Sequence, residues 1–125
     1  MGFAPLTAAV HTKTVKNGLF ELTRSLRYFS VEQDRWIEVP VGFQTDFASI
    51  PRIARVLINR NGKSRAPAVI HDYAYKSHTV SREKADALFL EAMKETKVNV
   101  IIRSIMYGAV RAAGWLYYNK NAAIK

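Results

Sequence analysis

The sequence predicts an α+β domain: an N-terminal antiparallel meander of three or four strands followed by about four α-helices. Two patterns carry this. Residues 7–45 hold short β-branched and aromatic runs separated by turn residues, and from about residue 50 the apolar positions recur at helical spacing. Strands first and helices afterwards is the order of an α+β domain rather than of a parallel sheet with crossover helices. With 125 residues, 49% of them hydrophobic and 23% charged, the chain is long enough to close one domain, 1–125, around a real core.

The strands come first. Lys16-Asn17-Gly18 joins His11–Val15 to Leu19–Leu22, and Asn-Gly is the strongest short hairpin signal. Leu26–Val31 follows, and Glu32-Gln33-Asp34 turns the chain into Arg35–Val39, where Trp36 and Glu38 alternate with Ile37 and Val39. Pro40 and Gly42 close that strand, and Phe43–Thr45 makes a short last one.

The helices begin after a switch at Thr45–Arg52. Asp46 or Ser49 can cap a helix there, and Pro51 suits its first turn, so a helix runs from near residue 50 to Asn59. Asn61-Gly62-Lys63 is a loop. Pro67 opens a second helix over about 66–77, with Ala66, Val69, Ile70, Tyr73 and Ala74 on its apolar face. Ser81 caps a third, whose apolar face is Ala85, Phe89, Leu90 and Met93. The fourth, about 98–118, is apolar around most of its girth, with Arg103 and Arg111 as polar points. Such a helix is either central or packed against a partner chain. Residues 119–125 form a polar tail.

Composition narrows the function. There is no cysteine, so neither disulfides nor thiolate metal sites are available. No apolar run approaches the roughly 20 residues that span a bilayer, and Met1–Val10 lacks the basic start of a signal peptide. Nineteen basic against ten acidic side chains give a formal charge of +9. That field favours anionic partners, an anionic membrane among them. The cations are spread along the chain and form none of the usual nucleic-acid motifs, so no specific nucleic-acid site is expected.

The chemistry concentrates in Ala66–Tyr75 and Ser81–Met93. Adjacent His71 and Asp72 point about 100° apart on a helix and must face different partners. Asp86, three and four residues before Phe89 and Leu90, points with the packed face of the next helix. If the two helices are antiparallel, Asp86 meets His71, and Tyr75 can add its hydroxyl. One imidazole nitrogen would then be held as N–H and the other left to take a proton from water. Asp72 would face a loop, where it could join backbone carbonyls around a hard cation such as calcium. Asp46 is a second candidate ligand, although a turn or cap role is the commoner one for such a residue. The same His71, Asp72, Asp86 and Tyr75 are equally the parts of a buried hydrogen-bond network, and both readings stay open.

Two resemblances bear on these residues. Val39–Arg52, Ala68–Tyr75 and Ala85–Met93, in that order, resemble the phage and prophage domain-of-unknown-function family 1353 over about residues 18–115. That likeness implies a phage origin and little else; a place in the virion or the bacterial host cytoplasm, with other phage structural proteins as partners, is the expectation built on it. His71-Asp72-x-x-Tyr75 with the later Asp86 is similar to the active-site helices of phospholipase A2 enzymes, including the lipase domain of parvovirus capsids. This second likeness implies that His71 activates water, Asp72 binds calcium, Asp86 orients His71 and Tyr75 supports Asp86. The calcium loop, glycine-rich in those enzymes, would fall on Val41–Asp46, which has a single glycine. The resulting expectation is a phage accessory protein with a hydrolase-like site for ester hydrolysis. Its alternative is a tail, neck or baseplate component in which the same residues only hold the helices together.

Overall fold

Asn17-Gly18 makes the hairpin turn its sequence predicts: Gly18 takes φ 80°, a left-handed conformation that costs glycine nothing. The computed structural model describes residues 10–60 and 62–124. Residues 7–9, where the strand-rich region is expected to begin, and Asn61 of the expected loop lie outside them. The turn joins β1 (Thr12–Lys16) to β2 (Leu19–Leu22), antiparallel with Thr12 opposite Leu22. β3 (Leu26–Ser30) and β4 (Arg35–Val39) form a second antiparallel hairpin, Leu26 opposite Val39. β5 is only Gln44–Thr45.

The strands form two small sheets, β1-β2-β5 and β3-β4, rather than one continuous meander. The free edge of β2 explains the difference. The Leu22 amide donates to Phe43 O and the Gly42 amide to Leu22 O, both at 2.9 Å, so returning chain satisfies the edge that β3 would have used. This return sets Phe20 opposite Thr45 and aims the following loop at the helices.

Four helices follow: α1 (Arg52–Arg60), α2 (Arg65–Ser77), α3 (Arg82–Glu95) and α4 (Val100–Ile124). The expected loop at Gly62-Lys63 is a short 3-10 turn, Gly62–Ser64, that leads into α2. Ser81 caps α3 as expected, accepting from the Lys84 amide at 3.3 Å. The fourth helix, expected to end near residue 118, continues to Ile124, and Lys125 of the expected polar tail lies outside the described residues. Asn119, Lys120 and Asn121 are polar, yet no glycine or proline stops the helix there.

α2 is the middle of the molecule. It touches α1, α3, α4, β4 and β5, and Ala66–Asp72, Ala74 and Tyr75 are all buried. Around it Leu22, Val39, Ile50, Leu88, Phe89, Met93 and Met106 complete the core. Each fully buried side chain of this size contributes about 2–3 kcal/mol of transfer free energy, so the core supplies the main driving force. Helix α4 turns Met106 and Val110 inward and Val100, Ile101 and Ile105 outward. It is a flanking helix with an open apolar face, not a central one. No helix among the described residues is long and apolar enough to cross a membrane.

Candidate functional site

The loop after β5 presents alternate residues to opposite sides. Asp46 Oδ1 accepts from the Ala48 amide at 2.9 Å, and Thr45 Oγ1 accepts from the Phe47 amide at 3.0 Å. These local side-chain turns bend the backbone. They leave Thr45 and Ser49 buried while Asp46 stays exposed.

α2 lies against α3, and its His71 reaches Asp86 on that helix as the sequence predicts: Nε2 to Oδ1 is 2.7 Å. Tyr75 donates its hydroxyl to the same oxygen at 2.6 Å. The other carboxylate oxygen takes Arg111 Nη1 from α4 at 2.8 Å. His71 Nδ1 meets the Ser49 hydroxyl at 3.1 Å. With Nε2 carrying the proton that faces the carboxylate, Nδ1 is left to accept from Ser49. The ring is packed between Tyr75 and Phe89, with centroids 4.2 and 4.9 Å away.

His71, Asp72 and Asp86 are each 0% exposed. Burial pushes the Asp86 carboxyl up, but donation from His71, Tyr75 and Arg111 outweighs it and holds the group below the ordinary carboxylate range. Burial, with Asp86 as its acceptor, pushes the Tyr75 hydroxyl well above its ordinary value. The carboxylate is therefore a saturated anion, and the tyrosine is held as a donor.

Asp72 faces the loop, as expected, but meets donors there. Oδ2 accepts from Thr45 Oγ1 at 2.6 Å and lies 3.4 Å from Lys76 Nζ, while Oδ1 accepts from the Ser49 amide at 3.2 Å. A calcium site needs six to eight converging oxygens, whereas the partners of Asp72 are a hydroxyl, an amide N–H and an ammonium. Asp46 stands exposed in its own turn. No group of three or more His, Asp or Glu able to hold a metal occurs among the described residues. This donor set does not fit calcium.

Three further participants escaped the sequence reading. Ser49 reads there as a helix cap, yet its hydroxyl meets His71 and its amide meets Asp72. Arg111 reads as a polar point on α4, yet it neutralises Asp86; a cation isolated on an apolar helix face was the available signal. Thr45 carried no signal beyond its place at the end of a short strand. His78 is half-buried: Nε2 lies 3.1 Å from Tyr118 O and the ring stacks on Tyr118 at 3.9 Å. Its position as the left-handed C-cap of α2, φ 54°, turns the ring toward α4.

The family model described as a protein of unknown function (DUF1353) matches residues 20–110, well over half of the chain. The chain belongs to the DUF1353 family. The matched segment contains Thr45, Ser49, His71, Asp72, Tyr75 and Asp86, and Arg111 lies one position beyond it. The searches of curated proteins and of solved structures find no match.

Proposed function

We propose that this DUF1353 protein is a non-catalytic phage component, and that its His71–Asp86 site fastens the helices together. One observation carries the reading: the imidazole is sealed from solvent with both ring nitrogens bonded inside the protein. A general base needs a free nitrogen within reach of the proton it removes, and here Ser49 occupies that place. Phage origin rests on the family resemblance. Val100, Ile101 and Ile105 on α4 and Ile53 and Val56 on α1 are exposed aliphatics suited to docking against other phage proteins.

A second reading rests on a different feature of the same site. Ser49 Oγ, His71 and Asp86 form a chain in the order nucleophile, base and orienting acid. A hydrolase built this way would attack an ester with Ser49 once the loop over it opened.

One set of measurements separates the two. The native protein is incubated with a fluorophosphonate probe and with anionic phospholipid vesicles, with and without calcium. The scaffold reading expects no labelled serine, no fatty-acid release, and strong destabilisation by Asp86→Asn. Labelling of Ser49, or release lost in His71→Ala, would replace it with the hydrolase.

A further inference from the structure

A cleft of about 360 Å³ lies between the Gly18 turn, the loop after β5 and α1. This is within the roughly 300–1,000 Å³ of small-molecule sites, at their small end. Phe20, Phe47 and Ile58 supply its apolar wall, and Asp46 and Arg55 its two charges. We propose that this cleft binds a small zwitterion, an α-amino acid with an apolar side chain.

Three observations carry the assignment. First, the two charges are not spent on each other. Asp46 uses Oδ1 on the Ala48 amide, and Arg55 uses Nε on Ile50 O at 2.8 Å. No ion pair joins Asp46 to Arg55, and the terminal guanidinium nitrogens of Arg55 and Oδ2 of Asp46 bond to nothing else among the described residues. A free guanidinium edge is suited to a carboxylate, and a free carboxylate oxygen to an ammonium. A ligand with only one charge would satisfy one of the two.

Second, the apolar wall is fixed in place. The Phe20 and Phe47 rings lie 6.1 Å apart, and the Arg65 guanidinium sits 5.3 and 5.8 Å from their centroids. Third, Phe47 adopts φ 59°. A bulky side chain in the left-handed region is strained, and such strain gathers at ligand clamps and active sites. Here the strained residue is one whose ring, nearly buried in the core, also forms the inner wall of the cleft.

The test is a titration of the isotope-labelled native chain, followed by backbone amide shifts. The probes are L-leucine and L-phenylalanine, each compared with its N-acetyl form (no ammonium) and its amide (no carboxylate). Saturable shifts at Gly18, Phe47 and Arg55 are expected with the free amino acids. Each blocked form should bind roughly tenfold more weakly, the loss of one charge-assisted contact. Asp46→Asn, which keeps the turn acceptor, should abolish the preference over the N-acetyl form; Arg55→Gln should abolish the preference over the amide. The absence of saturable shifts, equal binding of all three forms, or shifts away from the cleft would overturn the proposal. Because the blocked ligands are compared on native protein, the result stands even if a variant fails to fold. It is also independent of the role of His71.

Discussion

One loop serves two polar sites that differ in a single respect. On its inner side, Thr45 and Ser49 meet Asp72 and His71, where every titratable group is sealed and bonded. On its outer side, Asp46 and Arg55 line an open cleft, each with donor or acceptor capacity to spare. Inside, an unmet charge is very costly, so the chain supplies a partner for each one, and the partners then hold the fold. Outside, water satisfies the spare capacity, so it can persist and be passed to a ligand. Chemically similar side chains are thus saturated by the protein in one place and left with spare capacity in the other.

The sharpest way to break this comparison is at Asp86. Replacing it with alanine leaves the Arg111 guanidinium, the Tyr75 hydroxyl and His71 Nε2 without their acceptor. Breaking a buried pair in this way costs about 3–5 kcal/mol, read as a lower urea midpoint at an unchanged slope. An effect under about 1 kcal/mol would mean that the inner site is not the fastening it is taken to be.

A somewhat smaller loss is expected for Thr45→Val, which keeps the shape of the side chain and removes its hydroxyl. Asp72 loses one donor and the Phe47 amide its acceptor, for about 1–3 kcal/mol by chemical denaturation.

The acid limb of the stability curve sharpens the comparison further. The Asp86 carboxyl is held below its ordinary range when folded, so the unfolded chain takes up its proton first as the pH falls. The stabilisation is complete above about pH 4 and is lost as pH drops through the lower folded value. Asp86→Asn should flatten this limb in urea titrations at successive pH values. At the alkaline end the raised Tyr75 hydroxyl acts in the other direction. The unfolded tyrosine ionises first above about pH 10, so stability falls there; Tyr75→Phe removes its share of that fall and leaves the share of Tyr28, whose hydroxyl burial also raises.

The smallest effect belongs to the outer site. Asp46→Asn should change the thermal midpoint very little, by less than about 0.5 kcal/mol in stability, because the residue is exposed and its turn acceptor survives. A large loss would show that Asp46 serves the fold, and the contrast between the two faces would fail.

Much of this architecture was legible from local signals. Asn17-Gly18, Ser81 and the apolar spacing of Ala66–Tyr75 each specify their element through nearest neighbours, and β2, α2 and α3 lie where those signals put them. The contacts of His71 and Tyr75 with Asp86 were legible too, because two antiparallel apolar faces leave few partners for a carboxylate. The return of Phe43–Thr45 to β2 was not. Its pairing depends on which edge of a strand is free, and no local pattern encodes that. The reach of α4 past residue 118 was missed because polar residues were read as a stop where no backbone signal ends the helix.

The sequence alone thus determined the α+β class, the family, and the residues between which a proton or a charge could pass. Tertiary structure decided what those residues are free to do. Whether His71 has an open nitrogen depends on Ser49, 22 positions away in the chain, and on a loop whose side chains alternate between core and solvent. Exposure and saturation are sums over distant neighbours, and only the folded chain brings those neighbours together.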